Sequence, residues 1–363
     1  MSYHIRLSNH LPDVAALSNV LQRFSAQEPA ELVAAFEQAV CKTTGAAFAV
    51  AVNSGTSALH LSLKALGVRS GDTVIVPTFT YVATVNPVLY LGAVPIFVDC
   101  EPDTWNMDPA LLKKALTDLQ RQGRLPRAIV VVHTYGTPAL MNELEQVAAF
   151  FGVPLLEDAA EAIGARHHGR MAGTLGELGI LSFNTNKIVT TFGGGCVLCR
   201  TEKIAQKISF WAAQAREDTW YYEHREVGYN YRMNPLAAAY GLGQLPFMEE
   251  WVERRRDAFR IYLHHFEKQG AQSPQDRPQT QANRWMSSFW FPRANPALLV
   301  MELRRYGIES RPLWKPLHAQ PVFKGHTAYL NGEAERLFGG GICLPSYPSV
   351  AEEVTRVVRQ IIA

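Results

Sequence analysis

Between about residues 45 and 200 the chain alternates short β-branched apolar runs with amphipathic stretches, and no other feature constrains its fold so strongly. A short apolar run hides its backbone polar groups only by pairing as a strand, and a stretch of helical period between two such runs must cover the sheet they form. The runs are AFAVAVNS (47–54), TVIVPTFTY (73–81), VPIFVDC (94–100), RAIVVVHTY (127–135), VPLLEDAA (153–160), GILSFNT (179–185) and GGCVLCR (194–200). TSALHLSLKALG, VATVNPVLYLG, DPALLKKALTDLQRQG and ELEQVAAFFG fall between them with apolar spacings of three and four, and mostly end at glycine. The pattern predicts an α/β fold on a mostly parallel seven-stranded sheet.

Beyond residue 200 come a helical stretch EKIAQKISFWAAQAR, a polar aromatic segment EDTWYYEHREVGYNYRMN, the helix PLAAAYGLGQL and an arginine-rich helix EWVERRRDAFRIYLHHFEKQG. GAQSPQDRPQTQANR reads as a loop of a second, smaller α+β domain, with the boundary near residue 246: 1–245 large, 246–363 small. A net charge of +2 singles out neither nucleic acid nor a membrane surface as a partner. The opening MSYHIRLSNHLPDV has no basic segment followed by an apolar run, and nothing approaches the roughly 20 apolar residues of a membrane span, so a cytoplasmic location is expected. Cys196 and Cys199 form a CxxC inside an apolar run with no second pair nearby, which reads as two core thiols and no metal site.

Three segments carry candidate chemistry. Asp158 ends an apolar strand, where open α/β sheets place their sites, and a carboxylate there can pair with a pyridinium nitrogen. In SFNTNKIVTTFGGGCV, Lys187 leaves a strand and enters a polar turn before Gly193, Gly194 and Gly195; a lysine amine of lowered pKa can form a Schiff base with an aldehyde cofactor. In NSGTSALHL, Thr56 and Ser57 open a helix whose N–H groups suit a phosphate. Taken in order, the three form a phosphate cradle, a pyridinium partner and a Schiff-base lysine, which is a set for pyridoxal phosphate.

These segments, with EDAAEAIGA and GYNYRMNPLAAAYGLGQL, resemble the DegT/StrS family of sugar aminotransferases, which have the aspartate aminotransferase-like fold type I. The likeness runs from about residue 31 onward. QAREDTWYYEHREVGYNYR, NRW (283–285) and RPLWKPLHAQPVFKG resemble most the members that make UDP-4-amino-4,6-dideoxy-N-acetylglucosamine. The resemblance implies catalytic roles for Lys187 and Asp158, and a cofactor set of Thr56, Ser57, Tyr81 on the ring face, Asp158, Glu161, Ser182 and Lys187, with Asn230 reaching the phosphate from a partner subunit. It also places Arg232, Arg311, Lys315 and His318 near a sugar-nucleotide pyrophosphate. His133 is read either as a site residue or as a satisfied buried histidine.

The implied activity is transfer of an amino group from glutamate to C4 of a UDP-linked 2-acetamido-4-keto-2,4,6-trideoxyhexose for surface glycans, by a homodimer with shared sites. A GDP- or dTDP-linked keto-deoxy sugar is the nearest alternative, and a non-catalytic sensor of cofactor or sugar nucleotide is the alternative of another class. A pyridoxal-dependent sugar dehydratase resembles this family with histidine at the lysine position, which here is Lys187. EPAELVAAFE departs from the family in carrying Ala30 where a glycine is usual, and the first 30 residues lack its landmarks.

Overall fold

The computed structural model describes residues 3–8, 18, 20, 22, 24, 25 and 28–362. Much of the atypical N-terminal stretch, including 9–17, therefore lies outside the described residues. The strands are β1 (Phe48–Val52), β2 (Thr73–Pro77), β3 (Val94–Val98), β4 (Ala128–Val132), β5 (Leu155–Asp158), β6 (Arg166–His167), β7 (Arg170–Met171), β8 (Leu178–Ser182), β9 (Gly195–Cys199), β10 (Thr280–Gln281), β11 (Ser287–Trp290), β12 (Arg311–Pro312), β13 (Ala328–Tyr329) and β14 (Gly341–Leu344).

All seven expected runs form strands of one sheet, ordered β1-β9-β8-β5-β4-β2-β3-β13. The expected seven strands become eight, because β13 adds itself in parallel to β3, Ala328 opposite Phe97 and Tyr329 opposite Val98. Two residues carry no periodicity, so such a strand is invisible in sequence. Only β9 runs against its neighbours, antiparallel to β1 and β8.

The sheet is buried on both faces, with successive side chains of one strand entering different cores. Val74 and Val76 of β2 pack in a cluster with Leu59, Leu61 and Ile208, whereas Ile75 packs with Leu112, Leu116 and Leu144. Helices cover the faces, and three of them start on the same local device. Asp108, Asn234 and Asn295 each precede a proline at the first helical position and accept a hydrogen bond from the N–H two residues on, at 2.8, 2.9 and 3.0 Å. The expected helix VATVNPVLYLG is shortened to Asn86–Tyr90 behind a 3₁₀ turn, Val82–Thr84.

Elements after residue 246 build a second core, although β13 joins the large sheet, β10 pairs with β6, and Met248, Val252 and Trp285 pack in the first core. β11, β14 and β12 make a small antiparallel sheet, packed by helices Met248–Phe266, Pro296–Arg305 and Pro348–Ile362 around Phe259, Tyr262, Phe289 and Val354. Ile5, from the far end of the chain, is buried in this same core. None of the helices among the described residues is long and apolar enough to cross a membrane.

Candidate active site

In a parallel sheet the strand ends on one edge converge, and here β1, β5 and β8 end beside the start of β9. Gly195 pairs with both Val52 and Ser182, so the connection that leaves β8 returns to the same edge and carries Lys187 across it. The glycines answer a packing need. A Cβ on Gly195 would strike the backbone of Ser54 and Gly55, and one on Gly55 would crowd Ser182 at 3.0 Å. Helix Gly55–Ala65 can thus sit with its N-terminus against β8 and β9.

A cleft of about 840 Å³ opens at this edge, lined on the sheet side by Thr56, Tyr81, Asp158, Glu161, Ser182 and Lys187. The Lys187 amine lies 3.5 Å from Glu161 Oε1 and 3.9 Å from the centroid of the Trp285 ring. Burial pushes its pKa below the ordinary lysine value, against the attraction of Glu161 and Asp158. Glu161 Oε2 accepts the Tyr135 N–H at 2.9 Å, and burial pushes this carboxyl up to about 7. Asp158 Oδ2 accepts from the Thr84 hydroxyl at 2.8 Å and Oδ1 from the Ala160 N–H at 3.1 Å. Burial raises its pKa while those two bonds hold it down.

Of the hydroxyls expected at the phosphate, Thr56 and Ser182 line the cleft and Ser57 does not. Ser54 caps the helix by accepting the Ser57 N–H on its Oγ at 3.0 Å, while the Ser57 hydroxyl donates to Asn53 Oδ1 at 2.6 Å. Ser54, Gly55, Gly193 and Gly194 also line the cleft.

Tyr81 stands at the mouth, 57% exposed, its ring 6.3 Å from that of Trp314. Trp314 stacks on Tyr135 at 4.3 Å and donates its N–H to the tyrosine oxygen at 3.1 Å. Of the four residues expected near the pyrophosphate, Arg311 and Lys315 line the cleft. His318 does not; its ring bonds Thr78 Oγ1 at 2.6 Å and lies 3.3 Å from Glu335. Asn230 and Arg232 belong to a segment running beside β1, where Val52 bridges Arg232 and Asn53 donates its N–H to the Tyr231 carbonyl at 2.8 Å, and neither lines the cleft of its own chain.

His133 is a satisfied buried histidine. Its Nδ1 accepts the Ala139 N–H at 3.1 Å, so Nε2 donates to Glu157 at 2.8 Å. Cys196 and Cys199 belong to different core clusters on β9, and among the described residues no group of three or more His, Cys, Asp or Glu could hold a metal ion. Sequence reasoning missed Thr84, Tyr135 and Glu309, since a threonine in a helical stretch or a glutamate in a polar one carries no signal, and it named Trp285 only as part of the NRW segment. Asn283 of the NRW segment gives both amide hydrogens to the Glu161 and Ile163 carbonyls at 2.8 Å.

The donor set fits pyridoxal phosphate: a buried amine of lowered pKa, a buried carboxylate at a strand end, and a hydroxyl-rich helix N-terminus share one cleft. The model of the DegT/DnrJ/EryC1/StrS aminotransferase family matches residues 12–362. EpsN of Bacillus subtilis (strain 168), whose name gives it as a pyridoxal phosphate-dependent aminotransferase and gives no substrate, is 43% identical over 89% of this chain and 84% of its own. A GDP-perosamine synthase of Escherichia coli O157:H7 is 34% identical over 88% and 85%. The crystal structure of a DegT DnrJ EryC1 StrS aminotransferase from Brucella abortus superposes with a TM-score of 0.89 at 28% identity, over 96% of each chain. The chain therefore belongs to the DegT/DnrJ/EryC1/StrS aminotransferase family, with the fold-type-I architecture and pyridoxal phosphate as its cofactor.

Proposed function

We propose that this aminotransferase moves an amino group from glutamate to C4 of a UDP-linked 2-acetamido-4-keto-2,4,6-trideoxyhexose. The observation that carries the transfer chemistry is the Lys187 amine, buried between Glu161 and Trp285 in the cleft that Asp158 also lines. Bound there, pyridoxal phosphate supplies an aldehyde for the lysine and a ring that takes up the electron pair of the substrate carbon.

The residues divide the remaining work. Asp158, fixed by Thr84 and Ala160, holds a proton on the ring nitrogen. Thr56 and Ser182 hold the phosphate with the N–H groups of the helix start, Ser54 caps that start, and Tyr81 covers the ring. Lys187 would hold the cofactor aldehyde and move a proton at its amine, which Glu161 keeps in place at 3.5 Å. Arg311 and Lys315 hold the pyrophosphate of the acceptor. Asn230 and Arg232 act in the site of a partner subunit, which makes the active unit a homodimer.

The UDP reading is supported by where two of the segments that suggested it lie: Trp285 of NRW packs on the lysine, and Arg311, Trp314 and Lys315 of RPLWK line the opposite wall. The similarity to a GDP-perosamine synthase favours a second reading, the same transfer onto a GDP-linked keto-deoxy sugar. Glutamate with UDP-, GDP- and dTDP-linked 4-keto-6-deoxy sugars, followed by 2-oxoglutarate release, separates the two. The UDP sugar is expected to react at least about tenfold faster, a difference of about 1.4 kcal/mol in transition-state binding. An equal or better rate with the GDP sugar would replace the first reading by the second.

A further inference from the structure

Residues of the N-terminal segment line the active-site cleft. His4 and Ile5 donate their N–H groups to the Gly307 carbonyl at 3.0 and 3.2 Å, and Glu309 returns its N–H to the Ile5 carbonyl at 2.8 Å. Ile5 is buried among Leu303, Ile308 and Ile342, which anchors this short strand in the core of the C-terminal unit. The docking is tight enough that a Cβ on Gly307, whose φ is +68°, would collide with the His4 ring.

Two residues further on, the chain lines the cleft. Leu7 and Ser8 belong to its wall, with Asn186, Glu309 and Arg311. The Leu7 N–H donates to Glu309 Oε2 at 3.1 Å while Arg311 Nη2 donates to Glu309 Oε1 at 2.8 Å. One carboxylate thus ties a main-chain N–H of the strap to the guanidinium. The Ser8 hydroxyl donates to the Asn186 carbonyl at 3.3 Å, the same oxygen that takes the Trp285 indole N–H at 2.8 Å. Through that oxygen the strap also touches the residue before Lys187 and the ring that packs on its amine.

A guanidinium offers five N–H donors; Glu309 takes one from Arg311 Nη2 and the Ser310 carbonyl one from Nη1 at 3.2 Å, leaving other donors for an anion in the cleft. Without the carboxylate, this half-exposed arginine would keep only the Ser310 carbonyl and lose the charged partner that holds its Nη2. We propose that residues 5–8 with Glu309 form a positioning wall for the acceptor half of the site: Leu7 and Glu309 set Arg311 toward the pyrophosphate of the nucleotide sugar, and Ser8 closes the wall beside Lys187. This rests on the reading of the substrate as a nucleotide-linked keto-sugar.

The test uses the full-length holoenzyme and whichever nucleotide keto-sugar the wild type turns over fastest, so a preference for GDP or dTDP revises the acceptor and leaves the comparison intact. Glu309→Ala, Arg311→Ala and the double variant are compared in acceptor KM, in kcat and in the glutamate half-reaction read from cofactor absorbance. Expected for Glu309→Ala are an acceptor KM raised about tenfold, a kcat within about threefold of wild type and an unchanged half-reaction. The double variant should be no worse than Arg311→Ala within about twofold, because Glu309 acts through Arg311. Leu7→Pro, which removes the N–H donor to Glu309 along with the leucine side chain, should raise the acceptor KM in the same direction, and Glu309→Gln, which keeps an acceptor, should recover part of it. Full additivity of the two alanine variants, or an equal loss in the glutamate half-reaction, would overturn the proposal.

Discussion

Asp158→Asn is the sharpest test of the chemistry because its neighbours dictate how the new amide must sit. Asp158 Oδ1 accepts the Ala160 N–H, a donor that cannot turn round, so an asparagine keeps its carbonyl there and points its NH₂ toward Thr84 and the cleft. The Thr84 hydroxyl can rotate to accept from that amide, since Thr80 Oγ1 at 2.9 Å is ready to take its proton. The fold is kept, while the negative charge facing the ring nitrogen is replaced by a donor. Loss of a hydrogen bond to a charged group costs about 1.5–3 kcal/mol, and an N–H left facing an N–H costs about 1–3 kcal/mol more. A combined loss of roughly 3–6 kcal/mol predicts that kcat falls about 10²- to 10⁴-fold. A single turnover with glutamate alone, followed through cofactor absorbance, isolates the step, and a melting temperature close to wild type checks the fold. If the variant retained more than about a tenth of the wild-type rate in that half-reaction, Asp158 would not be the partner of the ring nitrogen.

Three further outcomes follow from particular contacts. Burial raises Glu161 from the ordinary 4.5 to about 7, so its neutral form is the one the cofactor-free fold favours: this contribution is whole below pH 4.5 and is lost as pH rises through 7. Comparing unfolding free energies of cofactor-free wild type and Glu161→Gln, the difference should change by up to about 3 kcal/mol between pH 4.5 and 8, and a constant difference would refute it. Gly195→Ala should destabilise the protein by about 1–3 kcal/mol and weaken cofactor binding about tenfold or more, whereas Gly193→Ala, with nothing within 4 Å of its new Cβ, should leave stability alone; denaturant melts and cofactor titration read both. Mixing inactive Lys187→Ala and Asn230→Ala chains should restore part of the activity through hybrid sites, and proven heterodimers without activity would argue against sites shared between subunits.

What the sequence disclosed and what it hid divide along a physical line. The seven sheet strands were legible because burial on both faces demands continuous apolar runs, and Asp158 and Lys187 because their strand ends must lie on one edge. β13 was not, since a two-residue strand held by Phe97 and Val98 needs no pattern of its own. Ser57 looked like a phosphate ligand because a hydroxyl in the first turn of a helix suits an anion, but here that hydroxyl turns to Asn53 at 2.6 Å while Ser54 caps the helix. His318 was ambiguous likewise, because a histidine after RPLWKPL suits an anion or a strand end equally, and here its ring bonds Thr78. The Glu309–Arg311 pair was hidden more deeply. Its partner, the Leu7 N–H, is a main-chain group about 300 residues away, and main-chain groups leave no trace in composition.

The two walls of the cleft come from different parts of the chain, and this sets how substrate choice can vary. The wall with Thr56, Asp158, Ser182 and Lys187 is built on strand ends whose positions are fixed by the parallel sheet, so a change there moves the cofactor and the chemistry together. The facing wall, with Leu7, Arg311, Trp314 and Lys315, hangs from β12 and a strap, elements of two residues and one bridge, backed by the separate core of Phe289 and Ile308. Side chains can be exchanged on such short elements without disturbing the sheet. This construction permits one cofactor site to serve different acceptors, so on the proposed reading variants at Arg311 and Trp314 should change acceptor choice with less effect on the glutamate half-reaction than variants at Lys187.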